Sequence, residues 1–316
     1  MWRPALVALV ALCAAGNAGA QQKETISFEG RQKGKPVQVT ATIYWPATPG
    51  PVPALVIHHG SGGVSDRREG RFAREMVAMG VAAVVIDSFG PRGVTSTVTD
   101  QSAVTGQDFN LDALAALKAL GANGRIVANR IGITGFSKGG TSALMAAHEN
   151  QVAAAGVPAG LRYALHVPFY PSCAVQYYKP RSTGAPIYML LGGADSYVGH
   201  EPCETYAAAM RTEGGRIEVK VLPGAMHGFD GGSPYFNAQG ENYAQCVTQQ
   251  QADGSWKERK SGTTTVGTDG KPIAGAFSKA MAGCRTLGVS GGGNDAAAKQ
   301  SMDDLKSYVR RYLLGS

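Results

Sequence analysis

Residues 130–149 read Arg-Ile-Gly-Ile-Thr-Gly-Phe-Ser-Lys-Gly-Gly-Thr-Ser-Ala-Leu-Met-Ala-Ala-His-Glu. An apolar run of strand length, Arg130 to Gly135, leads into Gly135-Phe136-Ser137-Lys138-Gly139, and a helix-like run from Thr141 to Glu149 follows. That order describes a sharp strand-to-helix turn that pushes the Ser137 hydroxyl outward, with flanking glycines that let the backbone pass without Cβ clashes. The pattern G-x-S-x-G alone decides little, because the chain holds 43 glycines and repeats it at residues 288–292. That second copy lacks an apolar run before it and reads as a flexible loop. The weight falls on the surroundings of Ser137.

Outward from this stretch, strand-length apolar runs alternate with helix-period runs. Residues 37–44 alternate and are β-branched, which suits an antiparallel edge strand paired with residues 25–29. Residues 54–59, 81–87, 130–135, 164–170, 186–191 and 217–222 read as further strands. Residues 67–79, 111–120, 203–211 and 297–314 read as helices. Repeated β-then-α order predicts an α/β fold with a mainly parallel central sheet and helices on both faces.

A serine hydroxyl needs an imidazole to take its proton and a carboxylate to orient that imidazole. In such a sheet these groups sit on loops at the carboxyl ends of strands. Asp195 follows the 186–191 run through Gly192-Gly193-Ala194, and His227 follows the 217–222 run through Pro223-Gly224-Ala225-Met226. The order Ser137, Asp195, His227 is the one expected of an α/β-hydrolase fold. His148 and His166 fall inside a helix and a strand and read as structural; His200 is the rival base, and Asp230 stands too near His227 in sequence to orient it easily. Attack on an ester carbonyl also builds charge on oxygen, which two backbone N–H groups must meet. Lys138 N–H, directly after the nucleophile, is one candidate. The loop His58-His59-Gly60-Ser61-Gly62-Gly63 supplies the other, with Ser61 first and Gly62 second. His58 and His59 lack companions at metal-ligand spacing, so no metal is expected.

The set HHGSGG, Asp87-Ser88-Phe89-Gly90-Pro91-Arg92-Gly93, GFSKGG, Phe169-Tyr170-Pro171-Ser172-Cys173, LLGGAD and GAMHGFD resembles the dienelactone hydrolase family of α/β-hydrolases, in its exported, serine-containing branch. The motifs run from Ile57 to Asp230 in the family's order. The resemblance implies the fold, the triad and hydrolysis of an ester-like bond, with no cofactor. The namesake enzymes carry a cysteine at the elbow and a glutamate after the first parallel strand. Here Ser137 and a glycine loop with Ser61 stand there, which implies a serine esterase rather than cysteine chemistry. Phe89, Arg92 and Tyr170 are candidate pocket residues. Arg92 either binds an acidic group of the substrate or braces its own loop with Asp87, and bracing is the favoured reading.

The rest of the chain bounds this reading. Residues 1–20 have the pattern of a secretory signal: Arg3, an apolar core from Ala5 to Ala15, and Ala18-Gly19-Ala20 before a cleavage after Ala20. The protein is therefore expected in the periplasm or outside the cell, with residues 21–316 forming a single hydrolase domain. Loss of the signal removes Cys13 and leaves Cys173, Cys203, Cys246 and Cys284. An even count suggests two bridges; three pairings are open, and Cys173–Cys203 with Cys246–Cys284 is preferred because each brackets one loop region. A net charge of +7 is spread along the chain and argues against nucleic-acid binding, and no later segment is apolar for long enough to span a membrane. Residues 231–296, rich in Gly, Ser, Gln and Thr, read as an insertion with a small hairpin at Trp256 and residues 263–266 that turns at residues 267–270. It lies at the pocket mouth or is a surface decoration. The expected partner is a small-molecule ester. The rivals are a carbohydrate-directed acetyl or feruloyl esterase, and a hydrolase-fold binding protein without turnover.

Overall fold

β-branched and apolar residues fill the strands of the computed structural model, which describes residues 22–315; the expected signal sequence and its cleavage point lie outside them. The strands are β1 (Lys23–Gln32), β2 (Lys35–Tyr44), β3 (Val52–His58), β4 (Ala82–Asp87), β5 (Ile126–Phe136), β6 (Leu165–Phe169), β7 (Val175–Gln176), β8 (Ile187–Gly192) and β9 (Ile217–Leu222). The helices among them are α1 (Arg71–Ala78), α2 (Gly106–Gly121), α3 (Lys138–Met145), α4 (Glu149–Ala154) and α5 (Glu201–Thr212). Beyond β9 come β10 (Tyr235–Asn242), β11 (Thr248–Gln250), β12 (Trp256–Glu258), β13 (Thr264–Val266), α6 (Ala276–Ala282), β14 (Thr286–Gly291) and α7 (Asp295–Val309).

Eight strands form one sheet in the order β1-β2-β4-β3-β5-β6-β8-β9. The β1 hairpin partner β2 and its neighbour β4 are antiparallel to one another, and every pairing from β4 to β9 is parallel. This is the α/β-hydrolase architecture. Parallel strands need crossovers, and helices on both faces make the central strands apolar on both sides. In β4, Ala83 and Val85 face the layer of α1 and α7, whereas Ala82, Val84 and Ile86 face α2 and α3. Helix α5 packs on the same side as α3, over β8 and β9.

Three expectations shift. The helix expected from Arg67 begins as a wide turn over Asp66–Gly70, because Ser65 Oγ accepts the Arg67 N–H while the Ser65 N–H bonds Glu69 Oε2 at 2.7 Å; regular α1 starts at Arg71. The helix after Ser137 starts at once, at Lys138, since the Thr141 N–H already bonds the Ser137 carbonyl at 2.8 Å. The 288–292 stretch is not a loop: residues 288–291 lie in β14, which pairs antiparallel with β10. The partner residues lie 44 to 56 positions upstream in sequence, from Asn242 with Thr286 to Tyr235 with Gly291, so local composition carried no sign of them.

The insertion is built of two small sheets, β10-β14 and β13-β12-β11-β7. The hairpin at Trp256 exists, but it turns through residues 259–263, where the Gly262 N–H bonds Glu258 O. The Gly267–Gly270 signal makes the following turn instead. Cys173 is joined to Cys203, and Cys246 to Cys284. Strand β7 follows Cys173 and pairs with β11, so both bridges pin the place where the insertion meets the main body. Closing such loops is worth roughly 3–4 kcal/mol each.

Four histidines, His58, His59, His148 and His166, are at most 1 % exposed. Burial dominates their titration, holding His58 well below the ordinary imidazole range and His59, His148 and His166 at about 4. A depressed pKa stabilises the fold above the unfolded value of 6.5 and loses that contribution as pH falls through about 4. At roughly 3 kcal/mol for each of His59, His148 and His166, the sum rivals a domain's whole margin of about 5–15 kcal/mol. The melting temperature is therefore expected to fall steeply between pH 6.5 and 4, followed by circular dichroism; a flat profile there would contradict buried, neutral histidines.

Candidate active site

The end of β5 sets the geometry. Ser137 has φ 54° and ψ −113°, a strained backbone state for a residue with a side chain, costing of order 1–3 kcal/mol. It is held there by its N–H, which bonds Phe169 O at 3.0 Å. The approach of β3 demands the flanking glycines: a Cβ on Gly135 would lie 2.9 Å from His58 O, and one on Gly139 would strike the His58 and His59 carbonyls. The other G-x-S-x-G serine, Ser290, has no such backbone and bonds Ser196 Oγ at 3.3 Å.

The loop after β9 brings His227 to the elbow, with Nε2 2.9 Å from Ser137 Oγ and Nδ1 2.8 Å from Asp195 Oδ2. A carboxylate at Nδ1 places the ring proton there, and Nε2 is left to accept the serine proton. Burial alone would raise the Asp195 pKa, but His227 and the N–H groups of Val198 and Tyr197 hold it below the ordinary value. Those N–H groups bond Asp195 Oδ1 at 3.1 and 2.8 Å. The imidazole lies between two aromatic rings, Tyr170 and Tyr197, each 4.7 Å away. The rival base His200 instead bonds Glu204 at the surface.

The loop after β3 packs directly on the elbow, since a Cβ on Gly60 would sit 3.0 Å from Phe136 O and 3.5 Å from Ser137 Cβ. Its peptide between Gly60 and Ser61 is fixed from the carbonyl side. His59 Nδ1–H donates to Gly60 O at 2.7 Å, and the Gly63 N–H does so at 3.1 Å. His59 Nε2 accepts the Ser88 N–H, which sets this tautomer. The Ser61 N–H then points away from those bonds and donates to no acceptor among the described residues. Ser61 and Lys138 both line a cavity of about 230 Å³ with Ser137, whereas Gly62 is exposed and outside it. Gln101 and Tyr197 form its wall, and Glu241 and Tyr243 from the insertion form its rim, which places residues 231–296 at the mouth.

Three candidate pocket residues sit elsewhere. Arg92 is fully buried, paired in bidentate fashion with Asp112 at 2.7 and 2.9 Å, and also bonds Ser88 O and Arg31 O. Only its Nε–H lacks a partner among the described residues, and that atom is buried away from the cavity lining, so the side chain braces the loop. Phe89 is 2 % exposed and packs on His59 and Phe109 beneath the loop after β3. Tyr170 is buried behind His227, with its hydroxyl on Asp230, which Arg68 and Arg71 also flank. Asp87 Oδ1 braces the same loop by accepting the Phe89 and Gly90 N–H groups. The reading of the chain missed Gln101, Tyr197, Glu241 and Tyr243. Only Tyr197, two residues past Asp195 at a strand end, carried a positional signal.

The profile of the dienelactone hydrolase family matches residues 39–252. No curated protein matches the chain. Among solved structures, a dienelactone hydrolase-like promiscuous phosphotriesterase from metagenomic libraries is 16% identical with a TM-score of 0.55, covering 92% of this chain and 98% of its own. Esterase 2 of Thermogutta terrifontis with propionate bound is 19% identical with a TM-score of 0.50, covering 64% of this chain and 85% of its own. The same esterase phosphoramylated by tabun is 19% identical with a TM-score of 0.51, covering 66% and 85%. At these identities the likeness is one of fold.

Replacing Arg92 by Met leaves Asp112 buried without its partner, a loss of about 3–5 kcal/mol. Denaturant unfolding is expected to read that loss, while the ratio of kcat/KM for acidic and neutral esters stays unchanged. A selective loss on acidic esters would return Arg92 to the pocket.

Proposed function

The chain belongs to the dienelactone hydrolase family, and we propose that within it the protein is a serine carboxylesterase that works through Ser137, His227 and Asp195. The observation that carries this reading is the unbroken relay from Ser137 Oγ through His227 to Asp195, at 2.9 and 2.8 Å, opening onto a cavity. Ser137 Oγ attacks the ester carbonyl as His227 Nε2 takes its proton. Asp195 steadies the imidazolium that forms. The Ser61 and Lys138 N–H groups meet the charge on the carbonyl oxygen, where one such donor is worth about 10²–10³ in kcat. His227 returns the proton to the departing alkoxide. Water, deprotonated by His227, then attacks the acyl-enzyme and restores Ser137. With Ser137 at the elbow and Arg92 buried on Asp112, dienelactone is not the expected substrate.

A second reading, a carbohydrate-directed acetyl or feruloyl esterase, is favoured by one feature: the cavity is lined by hydroxyl, amide and carboxylate groups of Ser61, Gln101, Thr141, Ser172 and Glu241. Two disulfides fit an oxidising compartment, and no helix among the described residues is long and apolar enough to cross a membrane. A periplasmic or secreted enzyme agrees with both.

A fluorophosphonate probe is expected to label Ser137, with labelling and hydrolysis of nitrophenyl acetate lost in Ser137→Ala by a factor of roughly 10³–10⁶. Folded protein that takes no label would leave the binding-protein alternative standing. A panel of nitrophenyl esters of growing acyl length, run beside acetylated and feruloylated sugars, separates the two esterase readings.

A further inference from the structure

Lys138 follows the nucleophile, and its side chain does something its backbone does not. The ammonium is buried, and Nζ donates to Thr97 Oγ1 at 3.1 Å, Gln101 O at 3.2 Å and Val104 O at 2.5 Å. Those are three acceptors for three N–H bonds, all on the segment 97–104 between β4 and α2. The same segment grips the oxyanion loop. The Thr97 N–H and Ser96 Oγ both donate to Ser61 O, at 2.8 and 3.1 Å, and Gln101 Nε2 donates to Ser61 Oγ at 3.2 Å. From outside, the insertion holds it as well: the Glu241 N–H donates to Val98 O, and Glu241 Oε2 accepts the Gln101 N–H at 2.8 Å.

We propose that the Lys138 side chain is a positioning residue for the oxyanion hole, tying the strap 96–104, and through it Ser61, to the same residue whose backbone N–H is the other donor. This rests on the reading of Ser137 as nucleophile. Catalysis by preorganised donors requires both N–H groups to stay aimed before charge develops. One residue fixes both: the backbone of Lys138 is set by the elbow, and its ammonium holds the strap whose Thr97 N–H and Ser96 Oγ donate to Ser61 O. A neutral amine offers two donors and a lone pair, so one of the three acceptors would then face a lone pair.

Lys138 faces Asp108 on α2, Asp100 on the strap and Glu241 on β10, with His59 on the oxyanion loop and the Phe109 ring 5.3 Å from Nζ. Burial outweighs those three carboxylates and brings its pKa down to about 8. His59 is neutral throughout this range. The ammonium is thus present below pH 8 and lost above it, and the hole is expected to loosen as pH rises.

The test compares wild type with Lys138→Met and Lys138→Arg on nitrophenyl acetate from pH 6 to 10. Wild-type kcat is expected to fall on an alkaline limb near pH 8 to 9. Lys138→Met, which keeps the backbone N–H, should lose about 10–100-fold in kcat at pH 7 with KM little changed and show no such limb. Lys138→Arg, charged throughout, should regain part of the rate and hold it to pH 10. Complete fluorophosphonate labelling of Ser137 in Lys138→Met would show that the elbow is intact. Wild-type kcat in that variant, or an unaltered alkaline limb, would overturn the proposal. Should Lys138→Met not fold, Lys138→Gln is read by the same limb. An unlabelled Ser137 in wild type would instead strike the nucleophile reading itself.

Discussion

The close approach of two parallel strand ends governs this site. Where β3 and β5 finish side by side, a Cβ on Gly139 would strike the carbonyls of His58 and His59, and one on Gly135 would strike the Gly139 backbone and crowd His58 O. The backbone can turn from strand to helix only because those positions are bare. Ser137 is left at φ 54°, held by Phe169 O on the next strand. The strain is sustained by the sheet on both sides rather than by the turn itself, and it is what lifts the hydroxyl into reach of His227.

Around that turn runs a buried polar network with few loose ends. Ser88 Oγ donates to Asp112, so His58 Nε2–H donates to Ser88, and Ser142 Oγ on α3 lies within hydrogen-bond distance of both His58 Nδ1 and Gly139 O. His59 ties Ser88 to the Gly60 carbonyl. Arg92 closes the set on Asp112. Buried polar groups are costly unless paired, and once paired they fix orientation more firmly than apolar contacts do. Both histidines of the HHGSGG stretch are spent here, on orienting the loop that supplies the Ser61 N–H.

The insertion has a different character. It buries few apolar side chains and is organised by backbone pairing, by the Cys246–Cys284 bridge and by polar contacts such as Glu241 with Arg285 at 2.7 Å. It reaches the site through Glu241 and Tyr243, where it forms the rim of the cavity. The hydrogen-bonded set Ser137, His227 and Asp195 thus sits in the main body, and the added sheets contribute Glu241 and Tyr243 to the cavity beside it.

The strands, most helices and the order Ser137, Asp195, His227 were legible in the sequence, because burial on both faces writes itself as continuous apolar runs and strand ends write themselves as glycine-rich loops. The serine at the elbow, in place of a cysteine, was legible in the same way. What a residue contacts across the fold was not. Arg92 read as bracing its loop with Asp87 or as a substrate contact, and the partner that holds it, Asp112, lies twenty residues on in α2. Tyr170 read as a pocket wall, whereas Asp230 holds it behind His227. The strand β14 read as a loop because its partner β10 lies far upstream. Local pattern records which face of an element is buried. Partners distant in sequence, which decide where charge is neutralised and which donor remains free, are set only when the chain closes on itself.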